Sequence, residues 1–141
     1  MQAVKAVKVT VDSIDVAKKC AQIASDKRAT DLLILEIGPI LAVADYFVFA
    51  TVRNKRQLKA IANGIRVELK EDGVRDIGVE GHGTERWLLL DYGDVVVHIF
   101  DQESRAYYDL ESLWADARRV ELGDLDAPSL AQEAFEDDFP V

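Results

Sequence analysis

The sequence is poor in several residue types, and each shortage excludes a class of protein. A single cysteine, Cys20, excludes an internal disulfide framework and a cysteine-cluster zinc site. No apolar run approaches the roughly 20 residues that a bilayer-spanning helix needs. The first residues also lack the long apolar stretch and small-residue cleavage site of a secretory signal. We therefore expect a protein of the reducing cytoplasm with no membrane association.

The negative charge of the chain is unevenly distributed. The net charge is −9 over 141 residues, a length that fits one domain with a real core. Of the 26 acidic residues, seven fall after residue 120, where there is no Lys or Arg. Residues 1–120 are therefore nearly neutral, and we expect them to form the folded domain. Residues 121–141 are expected to be an acidic C-terminal tail, so the overall charge says little about where partners bind.

The apolar residues follow alternating helix and strand periodicities along the chain. Cys20 lies on the apolar stripe of the first helix, which favours a core residue over a nucleophile. Asn54 and Gln57 resemble a capping box at the start of the second helix. The order α-β-β-α-β-β-β-α predicts an α/β (α+β) single domain, with a mixed sheet of about five strands flanked by helices. The predicted helices are 12–27, 54–72 and 103–114, and the strands are 31–37, 45–51, 76–81, 86–91 and 94–100.

The stretch ERWLLLDYGDVVVHIFD (85–101) carries most of the chemistry. Asp94 and His98 share one face of a strand but lie roughly 13 Å apart at about 3.3 Å per residue. Zinc ligands lie within about 2.3 Å of one ion, and a shared proton needs about 2.6–3.2 Å. The pair therefore cannot act as a metal-binding or catalytic dyad. His98 is interpreted as a sheet histidine with its hydrogen bonds satisfied or, failing that, as a surface contact.

Asp91 and Asp94 flank the Tyr92-Gly93 turn and could be neighbours. One hypothesis is a Mg²⁺-dependent nucleotidyl- or phosphoryl-transfer enzyme that uses both carboxylates. That chemistry also needs a glycine-rich phosphate cradle, and the sequence has no P-loop pattern. The favoured interpretation is that the two residues frame the turn and contact a partner, without a metal site.

Other side chains leave two interpretations open. Trp87 is either a core residue or an interface anchor, because tryptophan is enriched among binding hot spots. A basic cluster on the second helix is either a solvated face or a contact to RNA phosphates, and its main members are Lys55, Arg56 and Lys59. The closing aromatic residues are expected to pack back on the sheet; they are Tyr107, Tyr108 and Trp114.

Three motifs together resemble one known family. They are ADYFVFAT (44–51), WLLLDYGDVVVHIF (87–100) and R-x-x-Y-D-L-E-x-L-W (105–114). The sequence from about Val16 to Ala117 is similar to the ribosomal silencing factors, also called the Iojap-like family. The resemblance implies a fold related to nucleotidyltransferases that is used for binding, with no catalysis and no cofactor.

The resemblance also implies a partner and a mechanism. Family members bind ribosomal protein fourteen of the large subunit at the face that meets the small subunit. They thereby block subunit joining and lower translation when nutrients are scarce, and a homodimer is expected when they are free. The residues that match the partner-facing motif are Trp87, Asp91, Tyr92, Gly93 and Asp94, with His98 as a further candidate contact. The closing motif, with a supporting and chiefly structural role, contributes Arg105, Tyr108, Glu111 and Trp114.

Overall fold

The fold is built on a mixed β-sheet with helices on both faces, as the sequence predicts. The computed structural model describes residues 12–81 and 86–123. Most of the predicted acidic tail therefore lies outside the described residues. In chain order the elements are α1 (Ser13–Asp26), β1 (Thr30–Glu36), β2 (Tyr46–Val52), α2 (Lys55–Glu71), β3 (Gly78–Glu80), β4 (Trp87–Asp91), β5 (Val95–Asp101), α3 (Gln102–Tyr108), α4 (Leu110–Leu113) and β6 (Arg118–Arg119).

The sheet has the strand order β3-β4-β5-β2-β1-β6. Among the described strands, only β2 and β5 pair in parallel, from Tyr46 opposite Val95 to Val52 opposite Asp101. The other neighbouring strands pair antiparallel. The sequence predicted about five strands, and the sixth is β6, whose two arginines carry no strand signal. Pairing with β1 creates this strand, and Arg118 Nε donates to Glu36 Oε1 at 2.8 Å.

One face of the sheet, the closed face, is covered by α1 and α2. The buried strand residues that point to these helices are Ile34, Val48, Ala50, Leu88, Leu90, Val97 and Ile99. Cys20 of α1 is completely buried among them, and burial raises the pKa of its thiol to about 12. A protonated, inaccessible thiol is not a nucleophile, so the interpretation of Cys20 as a core residue is confirmed.

Helix α2 begins and ends as the sequence predicts. Asn54 Oδ1 accepts a hydrogen bond from the Gln57 backbone N–H at 2.8 Å, and Gln57 Oε1 accepts from the Arg53 N–H at 2.7 Å. The helix ends at Glu71, and Gly73 follows with a φ of +86°. The reciprocal bonds satisfy amides at the helix start, so the predicted capping pair is confirmed.

None of the helices in residues 12–81 and 86–123 is long and apolar enough to cross a membrane.

The opposite face of the sheet, the open face, is covered by shorter helices; most of its strand side chains are buried, but those at its β4 side, Trp87 and Leu89, are only half-buried. Its side chains come from alternate positions of the same strands and are Leu33, Leu35, Phe47, Phe49, Trp87, Leu89, His98 and Phe100. The helices over it, α3 and α4, have only seven and four residues. The predicted single helix 103–114 is interrupted at Asp109, whose φ of +46° is left-handed. This break turns the chain, and the prediction that Tyr107 packs on the sheet is wrong, because its side chain is 80% exposed.

Candidate functional site

The β4–β5 hairpin turn is held by its own carboxylate. Asp91 Oδ1 accepts a hydrogen bond from the Gly93 backbone N–H at 2.8 Å, and the Tyr92 N–H donates to the Val95 carbonyl at 2.9 Å. Gly93 has a φ of +85°, a conformation that favours glycine. Asp91 therefore frames the turn as an Asx-type acceptor, and Gly93 acts through its backbone shape.

Asp94 lies at the exposed tip of the hairpin and ties it to β2. Its carbonyl oxygen accepts from the N–H groups of Asp45 at 2.7 Å and Tyr46 at 3.1 Å, so the backbone of the tip is fixed. The Asp94 carboxylate remains available at the surface. Within the described residues, no group of three or more His, Cys, Asp or Glu side chains is placed to hold a metal ion.

Trp87 is neither a plain core residue nor a free surface residue. It starts β4 on the open face and is half-buried. Its ring lies 4.5 Å from the ring of Tyr108 and 6.0 Å from that of Phe100, measured between centroids. The exposed side of Trp87 lines a cleft of about 480 Å³. Both interpretations of Trp87 are therefore partly correct: one part of the indole packs on the sheet, and the rest is accessible to a partner.

His98 is buried, in contrast to its prediction as a surface contact. Only 5% of it is exposed, and its ring lies 5.0 Å from that of Phe47 and 5.2 Å from that of Phe49. The prediction that its hydrogen bonds are satisfied is also wrong, because neither nitrogen has a partner among the described residues. Burial lowers the pKa of the imidazole to about 4. His98 is therefore a neutral member of the aromatic layer under the open face.

Tyr92 points to the other side of the sheet from Trp87. Its ring packs against the core of the closed face, and its hydroxyl is buried with no hydrogen-bond partner in residues 12–81 and 86–123. Burial raises the pKa of this phenol. The partner-facing motif is therefore split, since Trp87 and Tyr92 cannot contact one flat partner surface together.

The closing motif holds α3 and α4 on the sheet. Arg105 Nε donates to Glu111 Oε1 at 3.0 Å, and Arg105 Nη1 donates to Thr51 Oγ1 at 2.7 Å and to the Asp31 carbonyl. Its guanidinium also lies 5.7 Å from the ring centres of both Phe49 and Phe100. These contacts bind the end of β2, the start of β1 and both short helices together. Arg105 and Glu111 therefore act structurally.

The two aromatic residues of the closing motif differ in exposure. Trp114 packs edge-on against Phe47, with ring centres 5.9 Å apart. Tyr108 contacts Trp87 but is 49% exposed. Two neighbours are more exposed still, Tyr107 at 80%, against the expectation that it packs on the sheet, and Leu113 at 67%. Their exposure depends on how the two short helices dock on the sheet, which a single helical periodicity over 103–114 could not indicate.

The basic cluster lies away from this surface. Lys55, Arg56 and Lys59 belong to the first turns of α2 and are exposed. Helix α2 covers the closed face, whereas Trp87 and Tyr108 lie on the open face. A partner that contacts the open face would therefore reach these cations only by extending around the sheet.

Comparison with known proteins identifies the family of this chain. The family model described as "Ribosomal silencing factor during starvation" matches residues 10–138. The chain belongs to the ribosomal silencing factor family. The name of this family indicates a role in translation regulation. Its model extends further at both ends than the motifs in 44–114 that carry the resemblance. The predicted family is confirmed.

Relatives with this name occur in several bacteria. The ribosomal silencing factor RsfS of Bacillus subtilis is 43% identical over 107 residues, covering 76% of this chain and 91% of the relative. The chloroplastic protein Iojap of Arabidopsis thaliana is 32% identical and covers 79% of this chain and 46% of its own length. The shared core is therefore close to the full length of the bacterial relative.

Solved structures confirm the fold. A crystal structure from Chromobacterium violaceum has a TM-score of 0.72 at 36% identity, over 74% of this chain and 88% of the other. A second, from Bacillus halodurans, has a TM-score of 0.65 at 35% identity, over 77% and 96%. The mixed sheet with flanking helices is thus a shared architecture of these proteins and this ribosomal silencing factor.

Proposed function

We propose that this ribosomal silencing factor binds ribosomal protein fourteen of the large subunit through its open face. Bound there, it sterically blocks the small subunit and lowers translation under nutrient limitation. The observation that carries the proposal is the exposed aromatic surface beside Trp87, formed by Tyr107 and Tyr108, whose ring centres lie 5.0 Å apart; Leu113 is a further exposed apolar residue, on α4. Contiguous exposed aromatic and aliphatic side chains are typical of protein interfaces.

The charges around the Trp87 cleft favour a basic partner. Carboxylates border the cleft, whereas the exposed Asp94 carboxylate lies at the other end of the β4–β5 hairpin, beside α1. Complementary charge accelerates and orients docking, while desolvated aromatic residues supply much of the affinity. Occlusion of a subunit face requires neither a metal nor a cofactor, and none enters the proposed mechanism.

Co-sedimentation with purified ribosomal subunits tests the proposal. We expect the wild-type chain to pellet with the large subunit only and to reduce its re-association with the small subunit. Trp87→Ala should weaken both effects at least tenfold, because it removes the aromatic anchor. Asp94→Lys should weaken them less, because an exposed charge acts mainly on association. Urea unfolding of each variant must show that it is folded, and a wild-type chain that pellets with neither subunit would refute the proposal.

We also propose that the free protein forms a homodimer through the same face. An exposed aromatic surface that awaits a partner can be covered by a second copy. Sedimentation velocity would then show a concentration-dependent dimer that the large subunit dissociates. Leu113→Ser should shift the dimer toward monomer, and an unchanged sedimentation coefficient in this variant would place the dimer contact elsewhere.

A further inference from the structure

The cleft beside Trp87 is lined by both aromatic rings and carboxylates, a combination that the docking proposal does not require. Three aromatic rings line it, those of Trp87, Tyr107 and Tyr108, with Leu89 at its base. Tyr107 and Tyr108 meet edge to face, with ring centroids 5.0 Å apart. Their ring planes are therefore nearly perpendicular, and the two ring faces point in different directions. Aromatic faces carry negative quadrupole density, and such a cluster attracts a cation.

The charged residues of the cleft are mostly acidic. Glu80 lies directly opposite Leu89 in the β3–β4 pairing, so its side chain belongs to the open face. No hydrogen bond or ion pair involves the Glu80 side chain among the described residues. The carboxylate is exposed and borders the aromatic rings.

Among the described residues that line the cleft, the only cation is Arg86, and it is already engaged. Arg86 Nε donates to Asp101 Oδ2 at 2.9 Å, and its Nη2 donates to Glu103 Oε1. This guanidinium is held at the rim by two carboxylates, and within residues 12–81 and 86–123 the charge of Glu80 is uncompensated. The cleft thus combines electron-rich rings with an excess of negative charge.

We infer that this cleft receives a cationic side chain of the docking partner, an arginine in preference to a lysine. The inference rests on the proposed function insofar as the open face is taken as the docking surface. A planar guanidinium can stack on an aromatic ring and donate to a carboxylate at the same time, which an ammonium does less well. An apolar side chain would use the rings but leave Glu80 desolvated without a partner, and a phosphate would be repelled.

The test uses small probes, so it does not depend on the ribosome. N-acetyl-arginine-N-methylamide is titrated into the full chain, and the indole N–H of Trp87 is followed by NMR, with Trp114→Phe used to assign the two tryptophan signals. The citrulline counterpart is the matched neutral probe, since it has the same shape without the charge. We expect a dissociation constant on the order of millimolar for the arginine probe, because one side chain makes few contacts. Citrulline should bind about tenfold more weakly.

Variants separate the charge from the rings. Glu80→Gln should weaken arginine binding about threefold, whereas Glu71→Gln on α2, an equally exposed but remote carboxylate, should leave it unchanged. Tyr107→Leu keeps an apolar side chain and removes the aromatic face, and we expect a further loss of about threefold. Equal binding of arginine and citrulline, or no shift of the Trp87 signal, would overturn the inference.

The outcomes for this inference and for the proposed function are separable. If the wild-type chain pellets with the large subunit but arginine does not shift Trp87, the cation site is refuted and the docking proposal stands. If arginine shifts Trp87 but the chain pellets with neither subunit, the cation site stands and its partner is another basic protein.

Discussion

The two faces of the sheet differ in the length of the helices that cover them. Helices of 14 and 17 residues cover the closed face. Helices of seven and four residues lie over the open face. Tyr107 belongs to the first of them and Leu113 to the second, and both side chains are mostly exposed. Strand β4 shows the difference within three residues, because Leu88 and Leu90 are buried while Leu89 between them is half-buried. One face stabilises the fold, and we propose that the other recognises the partner.

Adjacent leucines of β4 test this comparison most directly. Leu90→Ala should lower the free energy of unfolding by about 3 kcal/mol, because it opens a cavity in the closed face. Leu89→Ala removes the same atoms from the open face and should cost about 1 kcal/mol, since water and side chains can fill the space. Urea denaturation of both variants provides the measurement. Equal losses would show that the two faces are packed equally well.

His98 makes the open face sensitive to acid. The pKa of the folded imidazole is about 4, whereas the ordinary value is 6.5. Below pH 6.5 the unfolded chain therefore binds a proton that the folded chain does not, so stability is lost as the pH falls from about 6.5 to about 4. The total loss from this group is about 3 kcal/mol.

The contribution of His98 is measured by difference. Unfolding free energies of the wild type and His98→Leu are compared at several values between pH 7 and pH 4. The gap between the two proteins should change by about 3 kcal/mol over this range, while acidic residues common to both cancel. A constant gap would mean that the imidazole becomes protonated in the folded protein without cost.

Exposed aliphatic residues on the two sides form a matched pair. Leu113→Ser removes a side chain that is 67% exposed beside the open face, and Val67→Ser removes one that is 55% exposed on α2. We expect Leu113→Ser to weaken large-subunit binding about fivefold and Val67→Ser to leave it unchanged. Both should alter the unfolding free energy by less than about 0.5 kcal/mol. A loss of binding in Val67→Ser would instead place the interface on α2, on the closed-face side of the sheet.

The smallest effect is expected for the basic cluster of α2. Lys59→Glu reverses an exposed charge on the side away from the open face. If docking uses the open face alone, binding to the large subunit should change by less than about twofold at physiological salt. A larger loss of affinity, which increases further when the salt concentration is lowered, would instead support a contact of Lys55, Arg56 and Lys59 with ribosomal RNA.

Local chemistry explains which features could be predicted from the sequence. The start of α2 depends on Asn54 and Gln57, three residues apart, and the hairpin turn depends on Asp91 and Gly93, two apart. Both interactions are complete within one short segment, and both were predicted. The family motifs likewise lie in consecutive elements that have intrinsic strand or helix periodicity.

Features that depend on distant parts of the chain could not be predicted. Arg105 bonds to Asp31 and Thr51, 74 and 54 residues away, and this clamp positions the short helices. With α3 docked in this way, Tyr107 faces solvent. Strand alternation placed His98 on one side of β5, but only the neighbouring rings decide that this side is covered. Tyr92 lies in the turn, where alternation no longer applies.

The strands at the two margins of the sheet are unusually short. Strand β3 has three residues and β6 has two, and both include charged side chains, Glu80 in one and Arg118 and Arg119 in the other. Short, charged margins discourage another chain from continuing the hydrogen-bonded ladder. A protein that presents exposed aromatic rings would otherwise risk uncontrolled polymerisation through its backbone. We expect association to be directed instead to side-chain contacts on the proposed docking surface, where complementary shape and charge select the partner.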